Sequence, residues 1–340
     1  MAKYKSEIIE DKKVWEDFVL SHNPGTFLQS WDWGEVNIRD GAKIFRFGFY
    51  KDLKLIGICL IIKESAKRGP HLIVPAGPII DWSDLNVVNL FVKTVKALAK
   101  HEHCWFIRVR PEIVSNIDNK KLFKSLGFVS APMHLHAENT WILNIDRPED
   151  QILSGMRKTT RYLVKKGEKS GLTIEKTISP NVARMLFELQ KETAKRHKFV
   201  GFPEDLFRNE IEIFGKDNNA LVFICKKGNE TLAMAIIIFY GNTAYYHFSG
   251  SITGHNEIPF SYFLQWQIIQ EAKKRGVKFY NFWGIAPNND PSHRFAGVTM
   301  FKTGFGGERI DWLHAHDLPI VPRYWLTYTF ESMRKILRKL

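Results

Sequence analysis

The chain repeats itself, and this constrains its fold more than any other feature. Phe123-Lys124-Ser125-Leu126-Gly127-Phe128 resembles Phe301-Lys302-Thr303-Gly304-Phe305. Each run follows the same order of elements: a long amphipathic helix, an aromatic-rich strand, then a connection. The helices are read over Val87 to His101 and Tyr262 to Arg275, the strands over Cys104 to Arg110 and Lys278 to Gly284. Upstream, a hairpin around Asp52-Leu53-Lys54-Leu55-Ile56-Gly57 matches one around Asn229-Glu230-Thr231-Leu232-Ala233. Leu55 and Leu232 lie almost as far apart in the chain as Lys124 and Lys302, so the pattern predicts two copies of one α/β unit. The 340 residues, 44% of them hydrophobic, leave room for two domains of roughly 150 residues each. We place the first at residues 1–145, as a degenerate platform, and the second at 146–340, where the glycines concentrate and the reaction site is expected.

The run from Tyr280 to Glu308 carries the strongest chemical signal. An aromatic strand end (Tyr280, Phe282, Trp283, Gly284) is followed by Phe301-Lys302-Thr303-Gly304-Phe305-Gly306-Gly307. Gly304, Gly306 and Gly307 permit tight turns and close approach of a ligand, so a lysine and exposed N–H groups can converge on a developing negative charge. A plainer description also fits: a short helix from Ala296 to Lys302, closed by Gly304 in the left-handed cap position, with Lys302 as a dipole partner.

A formal net charge of +13 predicts an anionic partner or surface. Between Arg157 and Ser170, six basic residues (Arg157, Lys158, Arg161, Lys165, Lys166, Lys169) face one acid, Glu168. In a helix within 151–170, Arg157, Arg161, Lys165 and Lys169 form one basic stripe, while Leu153, Met156 and Leu163 turn toward a core. The stripe suits a phosphate backbone, with Tyr162 available for stacking; the alternative is a solvated helix face. A second cluster closes the chain, where Arg334, Lys335, Arg338 and Lys339 alternate with Trp325, Phe330, Met333, Ile336, Leu337 and Leu340. This amphipathic helix suits an anionic membrane face, a polyphosphate groove, or docking on the body with its charges in water.

Other signals mostly exclude. Met1 to Lys13 is charged and lacks an apolar core, so no signal peptide is expected, and no apolar run approaches the ~18 residues of a membrane span. Cys59, Cys104 and Cys225 sit in apolar strand-like contexts and read as buried packing groups of a cytoplasmic protein. His134 with His136 and His314 with His316 lack a third ligand at a recognisable spacing, and read as surface or hydrogen-bonded histidines. No Gly-x-Ser-x-Gly elbow is present, and Asp317 reads as a turn residue.

Four segments together resemble the motif series of the FemABX family. They are Met156-Arg157-Lys158-Thr159-Thr160-Arg161-Tyr162, Tyr262-Phe263-Leu264-Gln265-Trp266 after Tyr245 to Ser251, Tyr280-Asn281-Phe282-Trp283-Gly284-Ile285, and Phe301-Lys302 through Gly307. Gln29-Ser30-Trp31 and Pro75-Ala76-Gly77-Pro78 extend the resemblance into the first half. It implies two tandem acetyltransferase-like (GNAT-like) domains of α/β (α+β) class, related by duplication. The absence of sustained heptads points to the compact form without a helical arm.

The implied activity is transfer of an amino acid (Gly, Ala or Ser) from aminoacyl-tRNA to the stem peptide of a peptidoglycan precursor, lipid II or UDP-MurNAc-pentapeptide. The tRNA ester is already activated, so no metal or organic cofactor is required. The resemblance places Lys302 and the backbone of Phe301 at the ester, where Lys302 is expected to stabilise charge as a permanent cation, and to serve as a base only if desolvation lowers its pKa. Gln29, Trp31, Asn37, Tyr245, Tyr246, Phe207, Trp283, Gly284 and Gly304 are expected to bind substrate, and Arg157, Lys158, Arg161, Tyr162, Lys165 and Lys169 the tRNA. A cytoplasmic monomer or homodimer, peripheral at the inner face of the plasma membrane, fits this picture.

Three departures bear on the acceptor. Relatives often have a lysine near the position of Asn37, an arginine and a tyrosine where this chain has Pro203 and Phe207, and an acid where Arg110 precedes Pro111. A lipid-linked precursor or a different amine is therefore expected as acceptor. Two other classes remain open: an acyl-CoA-dependent N-acyltransferase of the same fold, for which no Gln/Arg-x-x-Gly-x-Gly/Ala loop is found, and a noncatalytic RNA- or membrane-binding protein.

Overall fold

Buried strand runs alternating with capped helices build two units, residues 1–138 with 311–340, and residues 139–310. The computed structural model describes residues 2–22, 26–66, 69–197, 199–255, 257–287, 291 and 293–338. The first unit begins with β1 (Tyr4–Ile8), α1 (Lys12–Ser21), α2 (Trp31–Arg39), β2 (Lys43–Lys51), β3 (Lys54–Ala66), β4 (Gly69–Pro75), β5 (Ile79–Ile80), α3 (Leu85–His101), β6 (Phe106–Arg110), α4 (Ile117–Ser125) and β7 (Val129–Ser130). The second comprises β8 (Asn139–Asn144), α5 (Glu149–Gly155), α6 (Lys158–Glu168), β9 (Leu172–Thr177), α7 (Ala183–His197), α8 (Glu204–Lys216), β10 (Ala220–Lys227), β11 (Glu230–Tyr240), β12 (Thr243–Ser251), α9 (Phe260–Lys274), β13 (Phe279–Gly284), α10 (Ala296–Thr303) and β14 (Glu308–Asp311). The chain then returns to the first unit with β15 (His316–Pro319) and α11 (Tyr324–Arg338).

Local chemistry explains the boundaries. Asp11 accepts the Lys13 and Val14 N–H groups at the start of α1, Ser30 accepts that of Trp33 for α2, and Asp84 that of Asn86 for α3. The two hairpins turn through left-handed backbone at equivalent places, Asp52 at φ 56° and Gly228 at φ 57°.

The repeat holds for the seven strands of each main path, and β5 has no counterpart in the second sheet. The first sheet runs β1-β2-β3-β4-β6-β15-β7, with β5 alongside β3, and the second β9-β10-β11-β12-β13-β8-β14. Each contains a parallel pair, β4 with β6 and β12 with β13, and a helix makes the crossover between them, α3 and α9. In the first core, Val87, Phe91 and Val95 of α3 meet Ile61, Leu72, Val74 and Ile107. Phe263, Trp266 and Ile269 of α9 do the same against Phe223, Ala235 and Ile237. The two-copy α/β architecture expected from the sequence is therefore present.

The domain boundary needs correction. Residues 139–144 form β8, which sits between β13 and β14 in the second sheet, while residues 316–319 form β15, between β6 and β7 in the first. The C-terminal helix thus belongs to the first unit and not the second. A buried cluster fastens it there. Arg108 donates twice to Asp317 and once to Glu331 of α11, all at 2.7 Å, and the Tyr324 hydroxyl donates to Asp317 at 3.1 Å. Burial works against the charged form, but the Asp317 and Glu331 carboxylates hold the Arg108 guanidinium above its ordinary value. Asp317 is a buried strand residue, not a turn residue.

The three cysteines are buried and free, as expected. His314 pairs with Glu138 at 2.6 Å and with the Ala131 carbonyl at 2.7 Å, and His316 with the His314 carbonyl at 2.6 Å, so both are hydrogen-bonded histidines. Among the described residues, no helix is long and apolar enough to cross a membrane. Lys339 and Leu340 lie outside the described residues.

Candidate active site

The two sheets differ where their parallel strands end. In the first, β4 and β6 stay paired from His71 with Phe106 to Pro75 with Arg110. In the second, pairing stops after Tyr245 with Asn281, although β12 continues to Ser251 and β13 to Gly284. Two bulges accompany this opening. Tyr246 pairs with Ile237 and Phe248 with Ile236, which leaves His247 as an extra residue in β12. Asn281 pairs with Ile142 and Gly284 with Thr140, which puts an extra residue in β13. Bulges bend a strand and re-aim side chains. Trp283 carries the strain, at φ 66°, a conformation costing a bulky residue on the order of 1–3 kcal/mol. The Asn281 side chain compensates by accepting the Trp283 N–H at 2.8 Å.

Around the open end, the side chains fall on two faces. The Trp283 ring meets Tyr245 edge-on at 6.0 Å and His247 at 5.1 Å. His247 Nδ1 lies 2.8 Å from the Glu210 carboxylate of α8, both side chains buried. Tyr246 turns the other way, packing against the core, and the Lys302 ammonium lies 5.9 Å from the centre of its ring. Burial pushes the Tyr246 phenol up, with Ser249 and Gln265 working against the shift.

Lys302 is the chemically distinctive group. It ends α10 only 7% exposed, and its Nζ donates to the Gly284 carbonyl at the β13 bulge, at 2.7 Å. Burial alone pushes its ammonium down to about 7. Desolvation thus meets the condition under which Lys302 serves as a base rather than as a permanent cation. Packing holds α10 in place. Phe301 meets Tyr262 at 5.0 Å and Phe305 at 5.4 Å, and the Thr299 hydroxyl accepts the Ala286 N–H at 2.8 Å. The Phe301 side chain thus serves the core.

The glycines have a different role from the one expected. Gly304 is right-handed, at φ −62°; the left-handed positions are Gly306 and Gly307, at 83° and 101°. A Cβ on Gly304 would lie 2.3 Å from the Thr160 hydroxyl, and one on Gly307 2.4 Å from the Ile142 carbonyl. These residues let α10 pack closely on α6 and β8. The Gly304 carbonyl accepts from Arg157 N–H at 2.9 Å and that of Gly306 from the Trp141 indole at 2.6 Å, while the Gly304 and Gly306 N–H groups donate to the Phe301 and Thr303 carbonyls at 3.2 and 3.3 Å.

Of the expected substrate contacts, Tyr246 and Gly284 meet Lys302, while Tyr245 and Trp283 meet each other on the opposite face. Phe207 is corrected to a core residue, fully buried against Phe248. Gln29 is also corrected. Its side chain is fully buried and bridges two strands, donating to Pro75 O at 2.6 Å and accepting from Leu60 N at 2.8 Å. Trp31 lies under the Arg46 guanidinium at 3.6 Å, and the Asn37 amide donates to Trp33 O at 2.7 Å within α2.

The basic helix forms as expected. Arg157, Lys158, Lys165 and Lys169 are exposed, as is Tyr162 at 63%. Arg161 is different, since it is half-buried and donates to the Ser154, Leu153 and Met156 carbonyls that end α5. The Arg157 guanidinium reaches Thr303 of α10 at 3.3 Å, so the basic helix starts beside the lysine-bearing one. Sequence reading missed the Glu210–His247 pair, whose only local signal is a histidine inside an aromatic strand.

Comparison with known proteins places these features in a family. A model of the FemAB family matches residues 11–226 and 218–332. The lipid II:glycine glycyltransferase of Staphylococcus aureus is 20% identical over 366 residues, covering 85% of this chain and 87% of the relative. Among solved structures, that of FemX superposes with a TM-score of 0.83 at 18% identity, over 96% of this chain and 100% of that one. A tandem GNAT protein from the clavulanic acid biosynthesis pathway reaches 0.58 at 10% identity, over 95% and 99%. The two structural likenesses concern the fold.

Proposed function

The chain belongs to the FemAB family, and from that premise we propose that it is an aminoacyltransferase, moving glycine, alanine or serine from an aminoacyl-tRNA to the stem peptide of a peptidoglycan precursor. The observation that carries this reading is Lys302, a buried amine at the open end of the β12–β13 pair, brought by burial to about 7. Attack of the acceptor nitrogen on the ester carbonyl forms the N–C bond and makes that nitrogen acidic. Lys302 in its neutral form takes the proton. The C–O bond to the ribose then breaks, and the Lys302 ammonium returns the proton to the departing oxygen. Both steps balance without a metal or an organic cofactor.

The donor is assigned to the basic helix. The tRNA is placed along α6, where Lys158, Lys165 and Lys169 are exposed and Tyr162 is free to stack. Replacing the three lysines with Ala is expected to weaken tRNA binding at least tenfold and to lower the slope of log affinity against log salt by about two to three. An unchanged slope in a filter-binding titration would return α6 to the role of a solvated face. For the acceptor we favour a lipid-linked precursor. Phe207 is buried, Pro203 caps α8, and the Asn37 amide is engaged within α2, so the positions that hold a nucleotide in relatives offer none of those groups here. On this reading the chain acts in the cytoplasm as a monomer.

The test is a transfer assay crossing glycyl-, alanyl- and seryl-tRNA with nucleotide-linked and lipid-linked muropeptides. Product is expected with one aminoacyl-tRNA and the lipid-linked acceptor. A blank panel, with acetyl-CoA consumed instead, would replace the proposal with acyl-CoA-dependent N-acylation.

A further inference from the structure

Helix α11 is amphipathic the wrong way round for a helix packed on its own unit. Its buried positions are Tyr324, Thr327 and Glu331, and the last two are polar. Its exposed apolar positions are Trp325, Leu326, Phe330, Met333, Ile336 and Leu337, with Leu326 70% and Leu337 83% exposed. Leu326, Phe330, Met333 and Leu337 follow a helical spacing and make one continuous apolar stripe. Isolated exposed apolar residues are ordinary, but a stripe of this length marks a surface that meets another.

The orientation is fixed from inside. Glu331 accepts from Arg108 at 2.7 Å, and Tyr324 donates to Asp317, so rolling the apolar side inward would take the buried Glu331 carboxylate from Arg108 and the Tyr324 hydroxyl from Asp317. Charge selects the partner. Glu331 is the sole acid of α11 and is buried, whereas Arg323 and Lys335 are exposed and Arg334 half-exposed beside the stripe. A second copy of this chain docking through the same face would set these cations against their equivalents.

We propose that α11 is a docking helix for an anionic lipid bilayer surface, its stripe seated among the acyl chains and Arg323, Arg334 and Lys335 on the lipid phosphates. The aromatic pair Trp325 and Tyr328, with ring centres 5.5 Å apart, suits the headgroup level. Because α11 carries no residue of the candidate active site, vesicle binding and transfer are read independently.

The experiment is co-sedimentation of the full chain with vesicles of phosphatidylcholine and phosphatidylglycerol, 7:3, and with vesicles of phosphatidylcholine alone. The protein is expected to sediment with the anionic vesicles and at least tenfold more weakly with the neutral ones. Leu326→Gln, Phe330→Gln, Met333→Gln and Leu337→Gln combined should lower anionic binding at least tenfold, with an unchanged melting temperature. A second variant, Arg334→Glu with Lys335→Glu, leaves the stripe intact and should also lower it. Wild-type protein staying in the supernatant, either variant sedimenting like wild type, or a wild-type dimer that the Gln variant dissolves would overturn the proposal.

Discussion

Lys302→Met is expected to lower the transfer rate by a factor of about 10²–10⁴, the range assigned to a positioned proton-transfer group, while making the protein more stable. The two effects share one cause. Burial holds the Lys302 ammonium at about 7, against an ordinary 10.5. Between those values the unfolded chain binds more protons at this position than the folded one, so the contribution of Lys302 to stability rises as pH climbs from about 7 toward 10.5. Below pH 7 the folded protein carries the full penalty of a buried ammonium, on the order of a few kcal/mol. Met fills a similar volume without that penalty. Melting curves at pH 6 and pH 10 should therefore show the variant ahead of wild type, by a margin that narrows with rising pH. Activity of the wild type should rise through pH 7 as the neutral amine accumulates. Lys302→Arg separates the roles, because guanidinium keeps its charge and cannot take the proton. A fully active Arg variant would return Lys302 to a purely electrostatic role.

Arg108→Met should produce the largest loss of stability. Asp317 and Glu331 are fully buried and both depend on this guanidinium, and removing one partner of a buried ion cluster costs about 3–5 kcal/mol. Urea unfolding monitored by circular dichroism would measure it, and a loss below about 1 kcal/mol would show that the cluster contributes little. Adding Asp317→Asn and Glu331→Gln to Arg108→Met should recover part of the loss, since neutral amides do not leave uncompensated charge.

Much of this was written in local sequence. The repeat was legible because the hairpins at Asp52 and Gly228, the crossover helices α3 and α9, and the Phe-Lys runs all rest on short-range periodicity and turn chemistry. Lys302 stood out for the same reason, as the residue the two copies share beside the glycines. What failed was decided by distant contacts. β8 and β15 span six and four residues, too short to declare which sheet they join. Gln29 reads as a site residue until the Leu60 and Pro75 backbone groups claim it. Arg161 belongs to the basic stripe by spacing, yet the α5 carbonyls occupy it. No sequence rule states that Gly304 is right-handed while Gly306 and Gly307 are not, since glycine tolerates either hand. The permanence of the Lys302 charge was likewise a matter of burial, which a sequence does not print.

The place of β15 in the first sheet has a consequence for biosynthesis. The second unit is one uninterrupted stretch of chain, residues 139–310, and has all its strands once that stretch has left the ribosome. The first unit, although begun earlier, keeps a gap between β6 and β7 until residues 316–319 emerge. Vectorial synthesis therefore completes the later-made half first, and the nascent polypeptide carries an unzipped N-terminal sheet, with edges open to other chains, through most of its translation.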